Sequence, residues 1–310
     1  MGESGRVAVV ILSFNGGQDL QRLLTSCRNQ EGPFDYYVVD SSSTDGSLEY
    51  VANCDLITDY VVIAPTEFNH GGTRQMMFDR YPAYDLYIYL TQDAYPETAT
   101  SFMELISFFR DDEVGAVCGR QLPHKNANAF GAHARHFSYP KDSAVKAISD
   151  IPSLGLKVAF LSNSFSAYRR EALVSVGGFP SDVILAEDMY VAARMALAGW
   201  KVAYAGTAAV HHSHNYSLAE ECRRYFDIGV FHAHNPWIRE RFGGAGGEGL
   251  KFVKSELSYL RHQIHLWPLS LLRNAGKLFF YKLGQKEGAL PMWLKKRISM
   301  HRRYWGRSIG

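Results

Sequence analysis

The first 120 residues of this chain alternate short β-rich runs with stretches patterned as helices, and this alternation constrains the fold more than any other feature. Arg6–Asn15, Tyr36–Asp40, Tyr60–Ala64, Leu86–Leu90 and Val114–Cys118 read as strands, with room for a helix between successive runs. The first run is almost unbroken in apolar residues, the mark of a strand covered on both faces. Leu20, Leu23, Leu24 and Cys27 then recur on one helical face. The pattern predicts an α/β fold with a mostly parallel, Rossmann-like sheet, whose ligand crevice lies beyond the carboxyl ends of the strands.

The residues at those ends are polar. Ser13 and Asn15 follow the first run, Asp40 and the segment Ser41–Asp45 follow the second, and Gln92 and Asp93 follow the fourth. Ser41–Asp45 reads as turn formers and caps. Asp40 and Asp93 demand more, because a carboxylate ending an apolar strand is costly unless it is solvated or meets a donor or a metal. After the third run come His70, Gly71, Gly72 and Arg74, where paired glycines permit close backbone approach and Arg74 can reach a phosphate or a base.

Gln121–Ile151 shows no period and reads as surface loop. Asn163, Ser164 and Ser166 precede a helix over Arg169–Val176, and Gly177-Gly178-Phe179-Pro180 forms a turn. Glu187–Ala198 is a helix stopped by Gly199, and its first turn carries Glu187 and Asp188. A strand from Trp200 leads to His211, His212 and His214; strand alternation puts His212 and His214 on one side and His211 on the other.

Gly243–Gly249 reads as a linker. It matches Gly-x-Gly-x-x-Gly, but no strand precedes it, so a dinucleotide site is not expected. Beyond it, Val253, Leu257, Leu260, Ile264 and Trp267 mark an amphipathic helix ending at Pro268. From Lys251 onward the chain carries a net +11, against −9 for the rest. A basic, aromatic tail on an acidic body suits an anionic membrane surface, with nucleic acid the weaker alternative for want of a binding motif. The expected units are residues 1–242 (nucleotide part about 1–120, acceptor part about 121–242), the linker, and a basic helical appendage over 250–310.

At 46% hydrophobic and 21% charged, the composition excludes a disordered chain. Four dispersed cysteines suggest neither a disulfide framework nor a thiolate zinc site. Without a basic leader or a spanning apolar stretch, the expected location is cytoplasmic, peripherally associated with the inner face of a bacterial membrane.

The motifs SFN, VVD, FNHGGTRQ, YLTQDAYP, AYRREAL with GGFP, AEDMYVAARMALAGW and VHHSH stand in an order that resembles the family 2 glycosyltransferases with the GT-A fold. FNHGGTRQ, LTQDA and RRYFDIGVFHAHN look like the bacterial rhamnosyltransferase branch, and the resemblance spans nearly the whole chain. It implies an inverting enzyme with a dTDP-L-rhamnose donor and a lipid-linked glycan acceptor. It places Asp188 as the catalytic base and Asp40 as the nucleobase contact, with Ser13, Asn15, Arg74 and Gln92 around the nucleotide. Asp93 matches the last acid of the family's metal motif, with Thr91 and Gln92 where other members carry acids. His212 or His214 would join it on a divalent Mn or Mg, Mn being favoured by imidazole. Asn163 and Glu187 would line the acceptor or donor-sugar side, and Arg223 and Arg224 a phosphate. A UDP-hexose or UDP-galactofuranose donor and a non-catalytic membrane scaffold are the rival readings, and the chain could form an oligomer.

Overall fold

The computed structural model describes residues 5–244 and 247–306. Its strands are β1 (Val7–Ser13), β2 (Phe34–Asp40), β3 (Ile57–Val62), β4 (Leu86–Thr91), β5 (Tyr95–Pro96), β6 (Val114–Leu122), β7 (Ala144–Lys146), β8 (Phe165–Arg169) and β9 (Lys201–His211). They form one sheet in the order β3-β2-β1-β4-β8-β6-β9-β5, with β7 also on β9. From β3 to β4 the pairing is parallel, as expected. β8 then runs antiparallel to both β4 and β6, so the complete sheet is mixed.

β1 shows why its run is unbroken. Ala8, Val10 and Leu12 enter the core on one face of the sheet, while Val7, Val9 and Ile11 enter the core on the other. Each fully buried side chain of this size contributes about 1.5–3 kcal/mol. The helix Gly17–Arg28 buries Leu20, Leu23, Leu24 and Cys27, the face read from the sequence.

The expected loop Gln121–Ile151 is corrected by the structure. β6 continues to Leu122, and a helix spans Ala129–Ser138, capped by the Asn128 side chain, which accepts from Gly131 N–H at 2.8 Å. An interior glycine and a histidine-rich face hid the helical period. Asn163–Tyr168 contributes a strand as well as the turn before a helix, and the following helix is Arg170–Ser175.

The paired glycines after β3 serve packing. A Cβ on Gly71 would lie 1.8 Å from the Pro180 carbonyl oxygen, so the turn Gly177–Pro180 seats directly on the helix His70–Arg80. Gln75 completes the contact by accepting the Phe179 N–H at 2.8 Å. Gly71→Ala should therefore cost about 3 kcal/mol in denaturant unfolding. Gly72→Ala, whose nearest neighbours are side-chain atoms at 3.3 Å or beyond, should stay within about 1 kcal/mol.

The C-terminal helices dock on the body. Helix Trp267–Gly284 crosses helix Leu218–His234 at glycine contacts: a Cβ on Gly229 would meet the Tyr281 carbonyl at 2.1 Å, and one on Gly284 the Phe226 carbonyl at 2.0 Å. Arg273 and Lys277 pair with Glu221 at 3.0 and 3.3 Å, so part of the basic excess is neutralised by the body. The amphipathic helix expected to run to Pro268 ends at Tyr259, and Pro268 instead lies in the first turn of the next helix, where its missing N–H costs nothing. Ala245 and Gly246 of the expected linker lie outside the described residues; Gly247 initiates the helix Glu248–Tyr259.

Candidate active site

The crevice lies at the carboxyl ends of β1 and β4, as the fold class requires. A pocket of about 300 Å³ there is bordered by Ser13, Phe14, Ser41, Arg74, Gln92 and Asp93, among others. Two of the expected nucleotide residues are not among those bordering it. Asp40 is fully buried and accepts from both the backbone N–H and the hydroxyl of Ser43, each at 2.7 Å. Asn15, with φ 47°, donates its N–H to Ser43 Oγ at 2.7 Å and accepts the Thr44 N–H at 2.9 Å. Together they shape the Ser41–Ser43 loop beside the pocket. Gln92 clasps the Phe14 backbone, accepting its N–H at 2.8 Å and donating to its carbonyl at 3.1 Å.

A metal-ligating cluster forms at one end. Asp93 Oδ2 lies 3.4 Å from His212 Nε2 and 3.8 Å from His214 Nδ1, and one donor atom from each residue falls within 4.8 Å of the others. The two-residue strand β5 creates this meeting. Tyr95 pairs antiparallel with His211, so the chain two residues before Tyr95 comes opposite the chain just after His211. His211 faces away, bonding the Pro123 carbonyl and Glu97, as strand alternation predicted.

The hydrogen bonds around His212 fix its chemistry. Arg135, a donor only, points at Gln121 Oε1, so that atom must be the amide oxygen. His212 Nδ1, 2.9 Å from the same oxygen, must then carry the proton. Its Nε2 is thereby the nitrogen turned toward Asp93 and available to a metal, the arrangement found behind metal-bound imidazoles. Burial, with His212 beside it, lowers His214 to about 3, so it too offers a lone pair at neutral pH. One carboxylate and two imidazole nitrogens suit a divalent transition metal. Gln121 and Arg135 escaped the sequence reading because they lay within the presumed loop.

The second cluster surrounds Asn163. Its side-chain amide donates to Glu187 Oε1 at 2.9 Å, and its backbone N–H donates to Asp188 Oδ2 at 3.1 Å. Its Oδ1 accepts from Ser166 and Tyr168. Glu187 also pairs with buried Arg74 at 2.9 Å. Asn163, Glu187 and Arg74 are thus consumed in a buried network; Arg74 still borders the pocket. Burial would raise Glu187, but Arg74 and His70 hold it below the usual carboxylate range. Burial and the neighbouring Glu187 charge push Asp188 the other way, up to about 6. Two adjacent acids driven apart in this manner have the chemistry to serve as an ionised anchor and a base. Ala186, at φ 60°, is the N-cap of this helix, in the left-handed region just ahead of the two acids.

The model of the glycosyl transferase family 2 matches residues 8–177, and that of glycosyl transferase family group 2 matches residues 96–278. The chain belongs to glycosyl transferase family 2. Among curated relatives of this glycosyl transferase, the O-antigen chain rhamnosyltransferase WbaN of Salmonella anatum is 47% identical over 88% of this chain and 86% of its own. The O-antigen chain rhamnosyltransferase RfbN of Salmonella typhimurium is 43% identical over 97% of this chain and 96% of its own. Its fold is also that of the mannosyltransferase PcManGT from Pyrobaculum calidifontis, solved with GDP-Man and Mn2+, at TM-score 0.60 and 19% identity, covering 99% and 89% of the two chains. S. aureus TarS residues 1–349, solved with UDP, aligns at TM-score 0.53 and 15% identity over 91% of each chain.

Proposed function

We propose that this family 2 glycosyltransferase transfers L-rhamnose, with inversion, from dTDP-L-rhamnose to a hydroxyl of a lipid-linked polysaccharide. The observation that carries the reading is the Asp93–His212–His214 cluster at the border of a crevice beyond β1 and β4, in a chain whose relatives at 43–47% identity are rhamnosyltransferases. The pocket at β1 and β4 takes the nucleotide, with Ser13, Gln92 and the loop that Asp40 and Asn15 hold forming its wall. A divalent ion on Asp93 and the two histidines, when bound, supplies positive charge to the departing diphosphate. Asp188 Oδ removes the acceptor proton as the hydroxyl attacks the anomeric carbon from the face opposite the diphosphate. Asn163 and Glu187 orient and polarise Asp188, and buried Arg74 fixes Glu187.

Nucleoside diphosphate release from a panel of sugar nucleotides, with Mn, Mg or chelator and membrane lipid extract as acceptor source, tests the donor. Metal-dependent release from dTDP-rhamnose alone is the expected result; turnover of a UDP-hexose in its place would overturn the sugar.

We further propose that the C-terminal helices seat the enzyme on an anionic bilayer. Helix Trp267–Gly284 is inverted: Ser270, Arg273 and Lys277 are buried against the body, while Leu271 (51%), Leu272 (56%), Leu278 (56%) and Phe279 (61%) are exposed. Steps of roughly 100° per residue put these four and Lys282 on one stripe. Exposed Ile264, Met292 and Trp293 extend the apolar surface. No described helix is long and apolar enough to cross a membrane, so the stripe would lie in the interface. Replacing Leu272 and Phe279 by Ser should abolish co-sedimentation with phosphatidylglycerol vesicles; undiminished sedimentation would defeat the idea.

A further inference from the structure

The C-terminal segment returns to the crevice. Asp227, buried on helix Leu218–His234, accepts the backbone N–H groups of Met300 at 2.9 Å and His301 at 3.0 Å on one carboxylate oxygen. The His301 ring meets His70 edge-on, 5.1 Å between centroids, and Trp305 is buried a turn later. This path brings Arg303 to the border of the pocket, beside Phe68, His70 and Arg74. Arg303 also donates to the Pro65 carbonyl beyond β3, a contact between residues 238 positions apart.

Charge distinguishes Arg303 from the other guanidinium at that border. Arg74 is buried and neutralised by Glu187. Arg303 is exposed and makes no ion pair among the described residues, while Asp19 and Asp93 also line the space. A nucleoside diphosphate entering here brings at least two negative charges, and a guanidinium fork matches phosphate oxygens bidentately.

We propose that Arg303 binds the diphosphate of the sugar donor, and that Asp227 is a positioning residue holding residues 299–303 across the crevice. The tail thereby completes the donor site. This rests on the donor-pocket reading above and deepens it.

The test uses the full chain and NMR titration with dTDP and with thymidine. Arg303→Ala should weaken dTDP at least about tenfold, leave thymidine within about twofold and keep the wild-type melting temperature; Arg303→Lys should recover part of the loss. Asp227→Ala should weaken dTDP in the same direction without adding to the loss in the double variant. Unchanged dTDP affinity in Arg303→Ala, or equal losses for dTDP and thymidine, would overturn the proposal while leaving the donor pocket standing. Should the wild type prefer UDP or GDP, the same comparison is made with that diphosphate and its nucleoside. Wild-type protein that binds none of the three overturns the donor-pocket reading and this inference with it.

Discussion

Asp188→Asn is expected to lower the transfer rate about 10³-fold while nucleoside diphosphate affinity stays within about twofold of wild type. The carboxylate lies in the first turn of its helix, accepts Asn163 N–H and Met189 N–H, and is absent from the border of the nucleotide pocket. Its removal therefore touches chemistry rather than donor binding. An amide cannot take a proton from an alcohol, and its NH2 would face one of those two N–H groups. The wild-type rate should fall as pH drops through about 6, because burial and Glu187 raise Asp188 to that value and only the ionised form is a base. The stability sign is opposite. A folded pKa above the unfolded value of roughly 3.9 means that folding takes up a proton between the two. Asp188 thus favours the fold most below the unfolded pKa and loses that contribution as pH rises through 6. Single-turnover transfer and dTDP titration measure the two expectations. Joint loss of binding and transfer would assign Asp188 a structural role.

Asp93→Ala should abolish Mn2+ binding and lower transfer about 10²–10³-fold. Of the three donors it supplies the only negative charge, and its loss leaves two imidazoles side by side at 4.6 Å between ring centroids. Mn2+ should raise the wild-type melting temperature through linkage and leave that of Asp93→Ala unmoved. His212→Ala should fall between them, since His214 and Asp93 still form a pair. Calorimetric titration of Mn2+ and thermal melting with and without chelator read these effects. Undiminished Mn2+ affinity in Asp93→Ala would remove the cluster from the metal site.

Much of the site was legible because strand ends are local. The apolar runs of β1, β2 and β4 locate Ser13, Asp40 and Asp93 within a residue or two, and Glu187–Asp188 opens a helix with clear start and stop signals. The partners of these residues were harder to read. β5 is two residues long, too short for any period, yet it sets Asp93 against the histidines. Gln121 and Arg135 sat in a stretch without apolar rhythm, and Ser43 looked like any turn residue although it occupies both oxygens of Asp40. The glycines of His70-Gly71-Gly72 suggested approach of a ligand; the structure puts the Pro180 carbonyl there.

By itself the sequence determined the sheet's parallel half, the buried face of its first helix, the charge division between body and tail, and the titratable groups available for chemistry. Those follow from periodicity and composition, which act over a few residues. The opposite shifts of Glu187 and Asp188 come from the tertiary structure alone, because Arg74 reaches Glu187 from a helix more than a hundred residues earlier. It alone decided that the tail turns its polar face inward and brings Arg303 to a pocket built from the first hundred residues. Side-chain charge and long-range contact set those outcomes, and neither leaves a periodic trace along the chain.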